Sequence, residues 1–199
     1  MIMRKTIISL LLLSATWGYG ATNPQQSVSV DTATVFTNPV LWADVPDPDV
    51  IRVGDIFYLM STTMHLMPGA PVMRSKDLVN WELVSYLFDK LTDTSNYDLK
   101  NGTVYGRGQW ATSIRYHNGK YYAYFSPNDK PYKGYVYSTS DPAGKWQLVS
   151  RIPHFHDASL FFDDDGRVYI FYGTGQLREL KADLSGVKEG GVDMHNFQK

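Results

Sequence analysis

One order of strands and turns recurs three times along this chain. The copies begin at Ile51 (IRVGDIFYLMST), Ile114 (IRYHNGKYYAYFS) and Leu160 (LFFDDDGRVYIFYG). Each opens as a hairpin, with Gly54-Asp55, Asn118-Gly119 or Asp165-Gly166 at its turn. Such dipeptides supply the backbone freedom that a tight β-turn requires. In the first two copies a further strand ends at an acid, Val72 to Asp77 and Val136 to Asp141. A Trp then opens a last strand, Trp81 to Ser85 and Trp146 to Ser150. The third copy runs on into LRELKADLSG from Leu177. About four short strands per copy, at a period of roughly 50 residues, is the pattern of a β-propeller blade. A sandwich of similar hairpins is the competing fold. The match along the whole length of the copies, including the step from Asp to Trp, favours blades.

An all-β propeller is therefore expected, with helix nearly absent and residues 38–186 forming three four-stranded sheets. Three blades do not close a ring, and radial repetition hides strand edges only in a complete one. Residues 37–199 are accordingly read as the N-terminal portion, about three blades, of a longer propeller domain. The interval from Leu87 to Gln109 is polar and contains Gly and Asn. It is expected to form a loop across one face.

The N-terminus reads differently. Arg4 and Lys5 precede an apolar run from Ile7 to Ala15, followed by the small residues Gly18, Gly20 and Ala21. This is the layout of a signal peptide, assigned to residues 1–20, with a linker over 21–36. The run is shorter than the roughly 20 residues that a membrane span needs. Export to the periplasm or the exterior is expected. The chain has no cysteine, so a hydrophobic core must hold it, and about 165 residues suffice for one. A net charge of −1 points to neither nucleic acid nor an anionic membrane as partner. The 14 Tyr, 9 Phe and 5 Trp suit strands, and exposed rings among them would stack on sugar rings.

Pro46-Asp47-Pro48 places one carboxylate between two prolines just before the first strand of the first copy. Pro48 is expected to hold Asp47 extended, and Asp49 is expected to point away from it. The residues just before the first strand of each copy, Asp47, Trp110 and Asp157, should lie near the propeller axis. Two carboxylates and a Trp converging on one pocket suit glycosidic bond hydrolysis. An Asp satisfied by backbone N–H groups is the alternative at position 157. Asp163-Asp164-Asp165-Gly166 lacks the alternating ligand spacing of a calcium loop and is expected to be a solvated hairpin turn. His117 and His154 have no metal-ligand partner spacing.

Several motifs stand together in order: NPV at Asn38, PDPDVIRVGD at Pro46, MPGAPVMRSKDLVNWELV at Met67, WATSIRYHNGKYY at Trp110 and DASLFFDDDGRVYIFYG at Asp157. In these the chain resembles glycoside hydrolase family 43, from Asn38 to about Gly186, and most of all its β-xylosidase and α-L-arabinofuranosidase branch. The resemblance implies a five-bladed β-propeller and an inverting hydrolase of xylose- or arabinose-containing glycans, with an oligo- or polysaccharide as substrate. By the same resemblance Asp47 is the general base, Asp157 orients the general acid and tunes its pKa, and Trp110 forms a pocket wall. Met64 and His65 stand where many family members carry an aromatic cluster. They are expected at the pocket edge, with His65 either hydrogen-bonding a sugar hydroxyl or serving as an ordinary loop residue.

The family's general acid is a Glu in an EG-containing motif. The chain's only such pair is Glu189-Gly190, close behind KADLSGVK, and is expected to be a turn. The acid is expected beyond Lys199, and the chain alone is expected to be inactive. No cofactor is expected from these residues. Some members hold a metal ion in the axial channel, with its ligand on a later blade. A non-catalytic carbohydrate-binding propeller is the alternative function. A retaining fructan hydrolase would carry Asn residues around its nucleophile that Pro46-Asp47-Pro48-Asp49 lacks.

Overall fold

The computed structural model describes residues 35–100 and 102–195. The proposed signal peptide and linker lie outside the described residues, apart from Val35 and Phe36, which are exposed.

The first sheet contains β1 (Asp49–Val53), β2 (Ile56–Met60), β3 (Gly69–Ser75) and β4 (Glu82–Phe88). The second contains β5 (Ser113–His117), β6 (Lys120–Phe125), β7 (Lys133–Thr139) and β8 (Gln147–Pro153). The third contains β9 (Ser159–Phe162), β10 (Val168–Tyr172), β11 (Gln176–Leu180) and β12 (Asp193–Met194). In each sheet the strands pair antiparallel in chain order. A 3₁₀ turn at Ser95–Asp98 is the only helical element among the described residues. The third sheet ends at Met194 rather than by 186. Its last strand has two residues, too few for an alternating pattern, and no opening Trp.

The repeat extends to atomic detail. The third strand bulges against the fourth between Val72 and Met73 in the first sheet and between Val136 and Tyr137 in the second, at equivalent positions. A bulge sharpens the local twist. In all three copies an Asp caps the following turn by accepting backbone N–H groups: Asp77 from Val79 and Asn80, Asp141 from Ala143, Asp183 from Ser185. The sheets are joined by matched bonds as well. Asp49 Oδ2 accepts the Ile114 N–H at 2.9 Å, and one blade on Ser113 Oγ accepts the Leu160 N–H at 3.3 Å. Ser85 donates to the Pro142 carbonyl and Ser150 to the Leu184 carbonyl, each at 2.6 Å.

Apolar residues fill both inter-sheet spaces. Met60, Val72, Leu87, Ile114 and Phe125 pack between the first and second sheets. Tyr124, Val136, Leu160, Ile170 and Leu180 pack between the second and third. Burying each such side chain contributes about 1.5–3 kcal/mol. The segment from Leu87 to Gln109 is more than a polar loop. Leu91, Val104 and Gln109 within it are buried, which anchors it on the first two blades.

Candidate active site

Each blade presents a tripeptide just before and into its first strand: Asp47-Pro48-Asp49, Ala111-Thr112-Ser113 and Asp157-Ala158-Ser159. These nine residues line one open pocket of about 240 Å³. The strand starts at Asp49, Ser113 and Ser159 make the three tripeptides equivalent. Ala111, not Trp110, therefore holds the position matching Asp47 and Asp157. Trp110 precedes it by one residue, at the place of Pro46 and His156.

Asp47 and Asp157 share a left-handed backbone, φ 46° and φ 47°. The expected extended geometry at Asp47 is thus overturned. Asp tolerates this region better than most residues, yet such conformations cost on the order of 1–3 kcal/mol and persist only where neighbours enforce them. The neighbours at Asp47 come from the end of β2. The Pro46 carbonyl accepts the Thr62 N–H at 3.1 Å and the Ser61 hydroxyl at 2.6 Å. The Thr62 hydroxyl donates to Asp47 Oδ2 at 3.2 Å. In the third blade the equivalent backbone bond runs from the Gly173 N–H to the His156 carbonyl, 2.9 Å. His156 Nε2 lies 3.3 Å from Asp157 Oδ2.

Asp49 does not turn away from this pocket. Two residues along, past a left-handed Asp47, it returns to the pocket edge. Its charge is met by Arg115 Nη1 at 2.6 Å and by the Ile114 N–H. Two carboxylates, Asp47 and Asp157, are left exposed toward the cavity. Nearby His154 is held below the ordinary histidine value of 6.5, by burial first and by His156 second.

Gln109 was not singled out from the sequence, yet it ties the first two blades together. It is fully buried. Its carbonyl oxygen accepts the Thr63 N–H at 2.6 Å and the Thr63 hydroxyl at 3.0 Å. Its amide nitrogen donates to the Ser61 and Trp110 carbonyls and to Thr112 Oγ1, the last at 2.6 Å. Ser61 and Thr63 flank the residue that bonds Asp47, and Thr112 lines the pocket. The only signal in the sequence was an uncharged amide at the end of a loop, directly before a blade.

The family model for glycosyl hydrolases family 43 matches residues 36–190. The chain belongs to this family. It is 32% identical over 157 residues to a beta-xylosidase of Formosa agariphila, covering 76% of this chain and 26% of that protein. It is 34% identical over 177 residues to a non-reducing end alpha-L-arabinofuranosidase of Bacteroides ovatus, covering 87% of this chain and 31% of that protein. Among solved structures, a bifunctional GH43-CE protein of Bacteroides eggerthii superposes with a TM-score of 0.73 at 48% identity, over 78% of this chain and 20% of that one. The chain thus spans only about a quarter to a third of the length of these two curated relatives. The three sheets are blades of the family 43 β-propeller.

Other residues drawn from the family 43 resemblance are not among those lining the Asp47 pocket. Trp110 is not among the pocket's lining residues. Its ring sits beside His156, centroids 6.1 Å apart, and its indole N–H donates to the Gly106 carbonyl at 3.2 Å. Met64 and His65 are not among the residues lining this cavity. Met64 exchanges two 2.9 Å backbone bonds with Gln109, which ties the segment to the long loop. Gly108 makes room for that pairing: at φ +94°, a Cβ there would lie 2.3 Å from the Met64 carbonyl oxygen. His65 Nδ1 accepts the Gly106 N–H at 3.3 Å, and its ring packs on Tyr105. Glu189 lies in an exposed turn. Its neighbour Lys188 pairs with the buried Glu179 at 2.5 Å. The Asp163–Gly166 turn is closed by Arg167, which pairs with Asp165 at 2.6 Å. Among the described residues no group of three or more His, Cys, Asp or Glu side chains is placed to hold a metal ion, and no helix is long and apolar enough to cross a membrane.

Proposed function

We propose that the protein is an inverting glycoside hydrolase acting on xylose- or arabinose-containing glycans, as a β-xylosidase or an α-L-arabinofuranosidase. The observation that carries the reading is the pair Asp47 and Asp157, set at equivalent blade positions with one backbone conformation on one pocket. In this reading Asp47 is the general base. The Thr62 hydroxyl occupies Oδ2, which leaves Oδ1 to accept a proton from water. That water attacks the anomeric carbon from the face opposite the leaving group, and inversion follows. Base and acid in such enzymes stand about 6.5–9.5 Å apart to admit the water. The acid, a residue outside the three described blades, protonates the leaving oxygen. Asp157 orients it and, as a nearby negative charge, raises its pKa so that it stays protonated.

The reading extends to location. The leader-like N-terminus supports export, and one relative, from Bacillus subtilis, is named an extracellular endo-alpha-(1->5)-L-arabinanase. A sugar-binding propeller without catalysis is the second reading. It is favoured by one observation: beyond Asp47, Asp157 and the Arg115-paired Asp49, no acid lines the pocket among the described residues. A panel of nitrophenyl glycosides, tested on the protein expressed from its whole reading frame, separates the two. Cleavage of the β-D-xyloside or the α-L-arabinofuranoside, with an inverted first product by proton NMR, supports the hydrolase. Sugar binding without cleavage of any panel member supports the second reading.

A further inference from the structure

A second cavity, of about 340 Å³, opens between the segment after β2 and the long loop that joins the first two blades. Its size falls within the range of small-ligand sites, about 300–1,000 Å³. Tyr105 stands on its rim with 80% of its surface exposed. An exposed ring is ordinarily free to move, but this one packs on a fixed neighbour, and its backbone is bonded as well. Its backbone N–H bonds to Thr103 Oγ1 at 3.1 Å. Its ring packs on His65 at 4.7 Å between centroids, and His65 is itself fixed by the Gly106 N–H. Leu66 and Leu99, 62% and 76% exposed, extend the apolar surface beside it. Leu99 is turned outward by a left-handed φ of 57° at the end of the Ser95–Asp98 turn. Asp89 and Lys90 add polar groups, and the Lys90 charge is already paired with Asp98.

The geometry points to an accessory glycan subsite, in which a further sugar unit of the substrate chain stacks on Tyr105. A sugar ring presents an apolar C–H face and a rim of hydroxyls. The apolar Tyr105–Leu66–Leu99 surface suits the face, and Asp89 suits the hydroxyls. A pre-positioned ring binds without first losing rotamer freedom, which strengthens stacking. A chain of contacts links the subsite to the first pocket. Gly106 donates to His65 under Tyr105 and accepts the Trp110 indole N–H, while Trp110 abuts His156 beside Asp157. Trp110 and Gly106 thus stand between the Asp47 pocket and the Tyr105 platform in this chain of contacts. This inference rests on the glycan-active reading above, and its test is arranged so that the two fail separately.

The probes are soluble arabinoxylan and whichever nitrophenyl monosaccharide glycoside the wild type cleaves, since the latter fills the Asp47 pocket alone. Tyr105→Ala in the full-length protein is expected to lower kcat/KM on arabinoxylan about three- to tenfold, the scale of one lost aromatic stacking contact. It should leave the nitrophenyl glycoside within about twofold, and Tyr105→Phe should restore the arabinoxylan rate. Equal losses on both substrates, or no loss on arabinoxylan, would overturn the subsite. If the wild type cleaves nothing, the hydrolase reading has failed, and affinity electrophoresis through an arabinoxylan gel decides the subsite alone. Weaker retardation of Tyr105→Ala than of wild type and Tyr105→Phe supports it, and equal retardation of all three overturns it.

Discussion

Asp47 and Asp157, two blades apart, share one left-handed backbone conformation and line one pocket. Strained residues of this kind persist where surrounding structure enforces them, and they concentrate at functional sites. The bonds from Ser61 and Thr62 to Pro46 and Asp47 do the enforcing in the first blade.

The strain predicts a difference between two substitutions at one position. Asp47→Asn keeps a side chain that tolerates positive φ, so its Tm should stay near that of wild type. Asp47→Val places a β-branched residue there and should lose about 2 kcal/mol or more. Urea denaturation of both variants checks this, and equal stabilities would contradict the enforced left-handed backbone.

Gln109→Leu removes every partner of a buried polar hub while nearly conserving volume. The Thr63 N–H and the Ser61 carbonyl lose a partner inside the protein, and each unpaired buried group costs about 1–3 kcal/mol. A total loss of about 3 kcal/mol is expected by chemical denaturation. Because Gln109 also holds Thr112 and the Trp110 carbonyl, sugar affinity at the pocket should fall as well.

The matched inter-blade bonds of Ser85 and Ser150 give a test of the repeat itself. Ser85→Ala and Ser150→Ala should each cost about 1 kcal/mol. The double variant should lose the sum, since distant sites without shared partners add. Unequal costs beyond about 1 kcal/mol would show that the two junctions are not equivalent in energy.

Asp77 sets a pH dependence. The Asn80 backbone N–H, then the Asn80 side chain and the Val79 N–H, hold its carboxyl well below the usual 3.8. The folded value is lower than the unfolded one, so the unfolded chain binds more protons in acid and folding is favoured by rising pH. The contribution is present above about pH 4 and is lost as pH falls through the folded value. The Tm advantage of wild type over Asp77→Asn should therefore be constant near neutrality and shrink below about pH 4. An advantage independent of pH would contradict the turn-capping role of the charge.

Much of the fold was legible because it rests on local signals repeated three times. Hairpin turns and strand-ending acids, with a Trp strand in the first two copies, all depend on residues close in sequence. What escaped depends on contacts far apart in the chain. The left-handed Asp47 is enforced by Ser61 and Thr62, against the tendency Pro48 imposes alone. Gln109 finds Ser61 and Thr63 on another blade. Met64 is tied to the long loop by Gln109, which lies 45 positions further along the chain. Trp110 drew attention by its chemistry, while Ala111, chemically silent, holds the position that matches the two acids. β12 pairs for two residues only, too short for a periodic signal.

The central claim, that Asp47 activates a water, is tested most directly by Asp47→Asn in the full-length protein on aryl glycosides of graded leaving-group pKa. The water must lose its proton whichever group departs, and an amide cannot accept it. Asp47→Asn should therefore abolish turnover across the whole series while sugar binding survives. Asp157→Asn should instead lose most on the poor leaving groups, which need protonation, and least on the activated ones. The first-formed product of the wild type should have inverted configuration by proton NMR. Near-native rates in Asp47→Asn, or a product of retained configuration, would contradict the account.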